Sequence, residues 1–498
     1  MSNFVVPGVY VQEQQNNLNP LTIDSRCLSA FAGITESGPL NKPVLIKSFT
    51  EYLNIFGGFD TIGVLPYSIF SYFKCGGKEC IVVRVADTKN ASCANYTVNT
   101  PKGKILFTAS SEGHWGNYLT LSTWTENKEN FSVTLSYQNK TESFVHLSYN
   151  PNDERYFESY INSHSCLCTV KAEGNVSDLQ PDFMKTFSGG KDGIAELTPG
   201  VFIGKYNGLE DNTGIGCFES RNDISLIAVP DICLFKNEED IISIQRTLID
   251  QAERFSGRFA ILDVPKNLDV LAMNKWADKM NSSFAAAYHP FIDITDPLDT
   301  TGIGTLQIPP SAAVCGCIAA TDNEKGVFHP PANCLIDGAV GISQKLTMGE
   351  QEMLYTKGIN VLRYFPGRGV KIWGAKTLSY DTNWKYINVR RTFTRVCASL
   401  KQGTRWAVFE PNDKNLRKRL VRQVSGFLLD LWNKGYFAGS TPEQGFYVRC
   451  DEELNPPENI DAGILTFEVG LAIVHPVEFF KITLSAEKNG SNVYIQDK

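Results

Sequence analysis

The sequence predicts a multidomain protein that combines α/β and α+β architecture. Three changes in the residue pattern along the chain support this prediction. After Asp223, apolar runs such as ISLIAVP and RFAILDVP alternate with amphipathic helical runs. Near-continuous apolar strands between helices are typical of a parallel sheet that is covered on both faces. Between about Asn90 and Gly214, alternating Thr, Ser, Tyr and Val with polar turns predict β structure. After Phe365, two long amphipathic helices and several short strands predict an α+β domain.

These differences in residue pattern divide the 498-residue chain into five segments. A chain of this length exceeds one hydrophobic core and is expected to form about two to four domains. The predicted segments are an N-terminal arm at 1–20, an α/β middle domain at 21–90 plus 215–364, a β-rich insertion at 91–214, a C-terminal domain at 365–484 and a C-terminal extension at 485–498.

The middle domain is predicted to draw strands from both of its segments. Apolar runs at 28–34 and 80–85 suit buried strands, and a helix is expected near 67–74. In the second segment, helices are expected at the run NEEDIISIQRTLIDQAERF and at about 268–280. The early strands are therefore expected to join the parallel sheet of the later segment.

The C-terminal domain is predicted around two helices. The first spans about 388–401 and ends before Gly403, and the second begins near Asn412 and Asp413, which are plausible helix caps. The second helix has one apolar stripe, formed by Leu416, Leu420, Val424, Phe427, Leu428 and Leu431. Strands are predicted at 406–409, 445–450, 464–471 and 478–484.

The first twenty residues predict one short strand on a polar tether. Its apolar side chains alternate in direction along an extended chain, and they are Phe4, Val5, Val6, Val9, Tyr10 and Val11. A lone strand leaves its backbone groups unpaired, so it must join a sheet edge in its own chain or in another.

The second C-terminal helix carries a basic strip near its start. Lys414, Lys418 and Arg422 recur at every fourth residue, with Arg417 beside them. The helix dipole disfavours cations there by about 0.3 to 1 kcal/mol each, so helix stability does not explain them. Two interpretations stay open, namely contact with an acidic partner and a solvated face.

Arg390, Arg391 and Arg395 on the first helix raise the same question as the basic strip. The acidic segment 451–453, with Glu458 and Asp461, is a possible counter-surface within or between subunits.

Composition excludes several broad classes of protein. The hydrophobic content of 42% is ordinary for a folded chain, and the net charge of -7 argues against a general nucleic-acid binder. The N-terminus lacks the features of a secretory signal, and no apolar run reaches the roughly 18 residues that a membrane helix needs. Thirteen cysteines without a signal are expected to be reduced and mostly buried. The chain is therefore expected to be made in the cytoplasm.

No catalytic, cofactor or metal site is predicted. Cys315, Cys317, His329 and Cys334 are the residue types that zinc prefers, but their spacing is poor and their neighbours are apolar, which favours buried small residues. The chain lacks a Gly-x-Ser-x-Gly elbow, and three of its six histidines directly precede proline. Gly190-Lys191 is followed by Asp192 rather than by the hydroxyl of a phosphate-binding loop.

A family resemblance runs through much of the chain. Residues 360–476, from NVLRYFPGRGVKIWGAKTLSYD to FEVGLAIVHP, resemble the C-terminal domain of contractile tail sheath proteins. The runs PGVYV, AFAGITESGPLNKPVLI and a glycine pair before VVRV are further features of that family, in the same order. The resemblance implies a structural subunit, not an enzyme, of a helical sleeve that surrounds an inner tube and contracts to drive the tube through a target envelope.

The resemblance also implies strand exchange between neighbouring subunits. The N-terminal strand would be one donated element, and the chain offers C-terminal candidates at Phe479, Phe480, Ile482, Leu484, Val493 and Ile495. The basic strip would face the tube or a neighbouring subunit, and the β-rich insertion would lie on the outside of the sleeve. Contraction would use energy stored in the lattice, without a nucleotide.

The partners implied are copies of this chain in stacked hexameric rings, an inner tube protein, baseplate and terminator proteins, and possible sister sheath proteins, without nucleic acid or direct membrane insertion. The place implied is a phage tail or tail-like particle made in the bacterial cytoplasm. Two other classes stay open. An α/β enzyme predicts a pocket with convergent polar groups at the carboxyl ends of the middle-domain strands. A monomeric adhesin would explain the Thr/Ser/Tyr-rich insertion but leaves the strand-like termini without a role.

Overall fold

The computed structural model describes residues 21–478 with gaps at 24–25, 60–61, 101–102, 126–129, 175, 177–182, 196, 209–210 and 256, and the backbone at 483–487 and 490–494. The chain divides into two compact units. The large unit comprises Ser25–Arg391 and His475–Lys498, and the small unit comprises Met1–Asp24 and Thr392–Val474. The predicted N-terminal strand, with Phe4, Val5, Val6, Val9, Tyr10 and Val11, lies outside the described residues.

The large unit begins with the strands and helices that the early apolar runs predict. Its first elements are β1 (Ser29–Gly33), β2 (Val44–Ile46), α1 (Phe49–Phe56), α2 (Leu65–Lys74) and β3 (Cys80–Arg84). All residues of β1 and β3 are buried. Ser48 caps α1 by accepting a hydrogen bond from Glu51 N at 3.2 Å.

The segment that follows is rich in β structure, as its alternating pattern predicts. Its elements are β4 (Ala91–Ser92), β5 (Asn95–Thr100), β6 (Gly103–Ala109), β7 (Thr120–Thr125), β8 (Asn130–Tyr137), β9 (Lys140–Ser148), α3 (Phe157–His164), β10 (Cys168–Gly174), β11 (Phe183–Thr186), β12 (Lys191–Asp192) and α4 (Pro199–Ile203). A three-stranded and a four-stranded antiparallel sheet enclose a core that includes Phe107 and Phe131. A Cβ at Gly190 would lie 2.3 Å from Gly113 O, so glycine is required where these two turns meet.

The rest of the large unit alternates strands and helices. Its elements are β13 (Leu226–Ala228), α5 (Glu238–Arg254), β14 (Phe259–Asp263), α6 (Val270–Asp278), β15 (Ala285–His289), β16 (Ile292–Thr295), β17 (Thr305–Ile308), α7 (Ser311–Glu324), β18 (Ala339–Ile342), α8 (Met348–Thr356), β19 (Ile359–Phe365) and β20 (Gly369–Trp373).

An eight-stranded sheet organises the large unit, in the order β2-β3-β1-β13-β14-β15-β19-β20. Strands β3 to β19 are parallel, and β2 and β20 pair antiparallel at the two ends. One core contains side chains of α5 and α6, and a second core contains side chains of α1, α2 and α7. The early strands thus join a parallel sheet covered on both faces, as predicted.

The hairpin of β19 and β20 belongs to this sheet. Phe365 pairs with Gly369 and Val361 with Trp373 along an antiparallel ladder. The boundary that we predicted at 365 therefore falls inside the hairpin, because cross-strand pairing holds both strands in one sheet. The small unit resumes at Thr392.

The two predicted C-terminal helices are present, and the small unit adds two short strands. The elements are α9 (Ile387–Gly403), α10 (Lys414–Asn433), α11 (Pro442–Gly445), β21 (Phe446–Arg449), α12 (Pro457–Asp461) and β22 (Glu468–Leu471). The buried residues of α10 are the six of the predicted stripe. Asp413 caps this helix by accepting a hydrogen bond from Leu416 N at 2.7 Å.

The predicted strand at 406–409 is wrong, since Arg405–Ala407 form a short 3₁₀ helix. Phe409 has φ of 69°, which lies in the left-handed region and breaks an extended chain. Trp406 Nε1 instead donates to Gln423 Oε1 on α10 at 2.7 Å. Packing of the indole against the helix therefore overrides the strand propensity of these residues.

The strands predicted at 445–450 and 464–471 are shorter than expected, and most of the strand predicted at 478–484 lies outside the described residues. The segment before β22 is held by Asn455, which bonds Thr466 N at 2.7 Å and Thr466 O at 2.8 Å, so the strand begins only at Glu468. At the C-terminus, β23 (Thr483–Glu487) and β24 (Gly490–Tyr494) form an antiparallel hairpin with Leu484 opposite Val493. Phe479, Phe480, Ile482 and Ile495 lie outside the described residues.

Candidate assembly surfaces

The predicted basic strip on α10 forms one wall of a charged cleft in the small unit. Lys414, Arg417, Lys418 and Arg422 line a cleft of about 750 Å³. The opposite wall includes the acidic segment Asp451, Glu452 and Glu453. Residues four apart on a helix lie on the same face, which explains why the strip is continuous. The predicted counter-surface is therefore brought to the strip within the same unit.

Contact across the cleft is weak. Lys414 Nζ and Glu452 Oε1 lie 3.9 Å apart, and their side chains are 74% and 83% exposed. Exposed ion pairs of this kind contribute about 0 to 1 kcal/mol because water and salt screen them. The basic residues therefore keep most of their capacity to attract an acidic partner.

The acidic wall is held in place by Arg449. Its Nη2 lies 3.0 Å from Asp451 Oδ2 and 2.8 Å from Glu453 Oε2. The pKa of Asp451 is lowered, first by the Leu454 backbone N–H and then by Arg449. This carboxylate therefore stays ionised at neutral pH, and the cleft keeps one positive and one negative wall.

Three further arginines of the two helices, Arg390, Arg391 and Arg419, have partners of their own. The guanidinium of Arg419 lies over the Trp406 ring, 4.6 Å from the ring centre. Its Nη1 lies 3.8 Å from Glu410 Oε2, away from the strip. Arg391, buried in the large unit, donates to Asp322 Oδ1 at 2.9 Å and also contacts Asp322 Oδ2. Arg390 lies 3.6 Å above the Phe284 ring. The hypothesis of a surface role is therefore wrong for Arg391, because burial and an ion pair satisfy its charge.

A second candidate surface is the two-stranded sheet of β21 and β22. Phe446 pairs with Leu471 and Val448 with Val469, and no other strand in the described part of the chain pairs with either. Ala472 N donates to Gly445 O at 2.9 Å, so the alternation of the ladder directs the N–H groups of Val448 and Val469 outward. Both edges can therefore accept a further strand.

Two of the four candidate zinc ligands, Cys315 and Cys317, are part of the core of the large unit, whereas His329 and Cys334 are half-buried. Cys315 and Cys317 are buried in α7, and Cys317 Sγ donates to Leu335 O at 3.4 Å. Across the residues that the structure describes, no group of three His, Cys, Asp or Glu side chains is arranged to hold a metal ion.

The carboxyl ends of the parallel strands are where an enzyme of this architecture would bind its substrate. The sheet order changes direction at β1, which lies between β3 and β13. The fully buried Asp231 carboxylate occupies this point and accepts hydrogen bonds from Ile34 N at 2.5 Å, Val64 N at 2.7 Å and Leu65 N at 3.0 Å. Asp231 thus ties two loops and the start of α2 together, which sequence reasoning missed because its partners are distant in the chain.

A helix that crosses a bilayer needs about 20 consecutive, mostly apolar residues. Within the described ranges, no helix is both long enough and apolar enough to cross a bilayer.

Two family models match adjacent regions of this chain. The phage tail sheath protein central domain matches residues 221–378, and the phage tail sheath C-terminal domain matches residues 379–487. Together they cover more than half of the chain. The second match contains α10, the acidic segment and the β21–β22 sheet.

Curated relatives carry the same description. A prophage-encoded protein of Pseudomonas aeruginosa strain UCBPP-PA14, described as a major tail sheath protein, is 26% identical over 223 residues, which is 44% of this chain and 55% of the relative. The tail sheath protein of Burkholderia phage BcepMu is 28% identical over 179 residues, which is 34% of this chain and 36% of the relative. The matched region thus spans about half or less of these relatives.

Solved structures extend the likeness in fold to nearly the whole chain. The sheath of an extracellular contractile injection system, PVC, in its contracted state has a TM-score of 0.60 and 21% identity, covering 98% of this chain and 99% of that one. A sheath tail protein from Listeria innocua has a TM-score of 0.62 and 13% identity, covering 91% and 96%. At these identities the comparison shows the fold, while the two matched domains show the ancestry, and the chain belongs to the phage tail sheath protein family.

Proposed function

We propose that this protein is the structural subunit of a contractile tail sheath, which polymerises as a helical sleeve around an inner tube and contracts to drive the tube through a target envelope. The observation that carries the proposal is the open-edged β21–β22 sheet within the region matched by the sheath C-terminal model. A two-stranded sheet is marginally stable by itself and gains from added strands.

Neighbouring copies supply those strands. The N-terminal arm, with Phe4, Val6 and Tyr10 on one side of an extended chain, pairs with one edge, and a C-terminal strand pairs with the other. Each added hydrogen bond contributes only about 0.5 to 1.5 kcal/mol net, but many identical junctions act together in a sleeve. A contact between different surfaces that does not close on itself generates an open helix.

Contraction requires two packings of the same subunits. The polar tether at 12–20 bends while the strand pairing holds, so subunits rotate and move outward without dissociating. The extended packing is held by contacts to the tube and the baseplate, and a barrier separates it from the better-packed short form. No nucleotide enters this cycle.

The charged cleft is the proposed contact with the tube or with a neighbouring subunit. Its basic wall, formed by Lys414, Arg417, Lys418 and Arg422, suits an acidic surface. The further partners are baseplate, terminator and sister sheath proteins. The particle is a phage tail or a tail-like injection system assembled in the bacterial cytoplasm.

Deletion of residues 2–15 tests the proposal because it removes the donated strand and leaves the described fold. We expect a folded, soluble protein that forms no sleeves, as measured by circular dichroism, size-exclusion chromatography and negative-stain electron microscopy.

A matched pair of variants separates the strand from its tether. Phe4→Asp with Val6→Asp and Tyr10→Asp should abolish sleeves, whereas Gln12→Ser with Gln14→Ser and Gln15→Ser should leave them intact. Unchanged sleeves in the deletion variant would contradict strand exchange. A wild-type chain that stays monomeric under all assembly conditions would favour the adhesin instead.

A further inference from the structure

The 475–478 segment is bound to the large unit just before the chain continues into its last residues. Glu478 Oε1 accepts a hydrogen bond from the Tyr355 hydroxyl at 2.6 Å, and Glu478 Oε2 accepts one from Lys385 Nζ at 3.3 Å. The Glu478 side chain is only 10% exposed. Tyr355 lies near the end of α8 and Lys385 precedes α9. One carboxylate therefore joins two segments that are distant from it in the sequence.

Further contacts hold the two donors in place. Lys376 Nζ donates to Tyr355 O at 3.0 Å and lies 3.6 Å from the centre of the Tyr355 ring. Lys385 Nζ also donates to the Tyr386 hydroxyl at 3.2 Å. The Tyr386 ring in turn lies edge to face with the His475 ring, with 5.6 Å between the ring centres. The 475–478 segment is therefore contacted at both of its ends.

Glu478 binds its donors as a charged group. Burial by itself would raise the pKa of Glu478, but the hydrogen bond from Tyr355 and the charges of Lys376 and Lys385 outweigh burial and lower this pKa. The carboxylate is therefore ionised at neutral pH. Hydrogen bonds to an ionised group are roughly twice as strong as those between neutral groups.

Apolar packing does not account for the position of the 475–478 segment. A cavity of about 470 Å³ lies beside it, and Trp373, Pro476 and Glu478 are among the residues that line this cavity. Val477 is 83% exposed. Atoms that face a void or the solvent gain little from dispersion contacts. The polar contacts of Glu478 therefore carry most of the attachment.

We propose that Glu478 anchors the C-terminal arm, residues 479–498, to the large unit of its own subunit, so that only the chain beyond this anchor is exchanged with a neighbour. An anchored arm loses less conformational freedom when it binds, and its strand is held at a higher effective concentration near the acceptor. The role in assembly rests on the proposed strand exchange, whereas the anchor itself is a property of the single subunit.

Cleavage by endoproteinase Glu-C measures the anchor in the unassembled full-length chain. This protease must bind the glutamate side chain that precedes the bond it cuts, so a Glu478 carboxylate held by Tyr355 and Lys385 resists cleavage. Mass spectrometry follows release of the peptide 479–498, and cleavage after the exposed Glu154 is the internal reference. In the wild type we expect cleavage after Glu478 to be at least about tenfold slower than the reference, because it requires local opening.

Tyr355→Phe with Lys385→Met removes both donors and keeps Glu478 as the cleavage site. We expect release of the peptide to become at least about tenfold faster than in the wild type, because two hydrogen bonds to a charged group are lost. Each single variant should give a smaller increase, and these variants provide the measurement if the double variant does not fold.

A second carboxylate of the large unit supplies the matched control. Lys357 Nζ and the Tyr380 hydroxyl each lie 2.7 Å from Asp278 Oδ1, which repeats the combination of a lysine and a tyrosine on one carboxylate. Lys357→Met with Tyr380→Phe should release the peptide 479–498 at the wild-type rate. It separates the effect of the anchor from a general loosening of the fold.

Sleeve formation, observed by negative-stain electron microscopy, measures the role of the anchor in assembly. Tyr355→Phe with Lys385→Met should raise the protein concentration needed for sleeves by about tenfold, whereas the control variant should not change it.

The two measurements decide the proposal separately from the proposed function. Wild-type cleavage after Glu478 that is as fast as cleavage after Glu154, or no acceleration in the double variant, would overturn the anchor. Faster cleavage with unchanged assembly would overturn its role in positioning the arm. If the wild type formed no sleeves, the proposed function would fail together with that role, while the cleavage rates would still decide the anchor.

Discussion

The eight-stranded sheet of the large unit and the β21–β22 sheet of the small unit differ in how completely they are paired. In the eight-stranded sheet of the large unit, the outer edge of β20 bonds the segment at 333–336, through Asn333 N to Ile372 O at 2.7 Å and Ile336 N to Val370 O at 2.9 Å. At the other end, β2 has only three residues. Short or covered edges are how proteins prevent unwanted strand addition.

The small unit contains the less completely paired sheet. Its β21 and β22 have four residues each, and among the described residues no third strand extends their sheet. The large sheet therefore has a short edge strand at one end and a covered edge at the other. The β21–β22 sheet has two edges that no described strand pairs with. If strand exchange occurs as proposed, folding and assembly depend on different sheets of one chain.

The largest expected effect comes from placing proline in each sheet. Ile261→Pro interrupts β14, which is paired on both sides, and should prevent folding of the large unit. Val469→Pro removes an N–H that points outward, so it should cost under about 1 kcal/mol of folding stability while abolishing sleeves. Circular dichroism and negative-stain microscopy measure the two outcomes.

Val469→Thr is the matched control, because it keeps the β-branched shape and the backbone N–H. It should form sleeves like the wild type. If Val469→Pro also assembled normally, the outward edge of β22 would not be the junction.

The buried ion pair of the large unit is expected to give the next largest effect. Arg391 and Asp322 are 4% and 3% exposed, so Asp322→Ala would leave an uncompensated buried cation. We expect a loss of about 3 to 5 kcal/mol in the free energy of unfolding, measured by urea denaturation. Asp430→Ala, which breaks the exposed pair with Lys434, should cost under about 1 kcal/mol and serves as the control. Equal losses in both variants would contradict this assignment.

The large unit should also show a pH dependence that originates at Asp263. Burial raises the pKa of this carboxyl to about 7, and its Oδ1 accepts a hydrogen bond from Ser311 N at 2.8 Å. The folded state then holds a proton that the unfolded state releases near pH 4, so the contribution of this carboxyl to stability is greatest at low pH and falls as pH rises towards 7.

The expected slope is up to about 1.4 kcal/mol per pH unit between about pH 4 and pH 7. Asp263→Asn should remove this slope, as measured by urea denaturation across the range. An identical slope in the variant would assign the pH dependence to another group.

The smallest effect on stability is expected at the basic strip. Lys418→Glu with Arg422→Glu changes an exposed face, so the free energy of unfolding should move by under about 0.5 kcal/mol per residue. Binding to the tube or to a neighbouring subunit should weaken strongly and lose its dependence on salt, as measured by co-sedimentation. Lys434→Glu, at the far end of α10, is the control. Unchanged binding in the double variant would favour a solvated face.

Much of the fold follows from local pattern. The apolar stripe of α10 has the helical period, and all six of its residues are buried. The all-apolar runs of β1 and β3 indicate burial on both faces, as observed. The strand at 406–409 was mispredicted because a tertiary contact of Trp406 and the left-handed backbone of Phe409 override propensity.

The candidate surfaces were only partly predictable. The spacing of Lys414, Lys418 and Arg422 places them on one face, but the acidic wall opposite them required the folded small unit. The roles of Asp231 and Arg391 could not be predicted, because their partners lie 166 or more and 69 residues away.

The sequence by itself determined the periods of helices and strands, the reduced and mostly buried character expected of the thiols, and the resemblance to tail sheath proteins, because each depends on residues near one another in the chain. The tertiary structure decided which groups meet: Asp231 with the start of α2, Arg391 with Asp322, and β21 with β22, which pair with no third strand among the described residues. Side-chain period is a local property, whereas pairing depends on how distant segments pack.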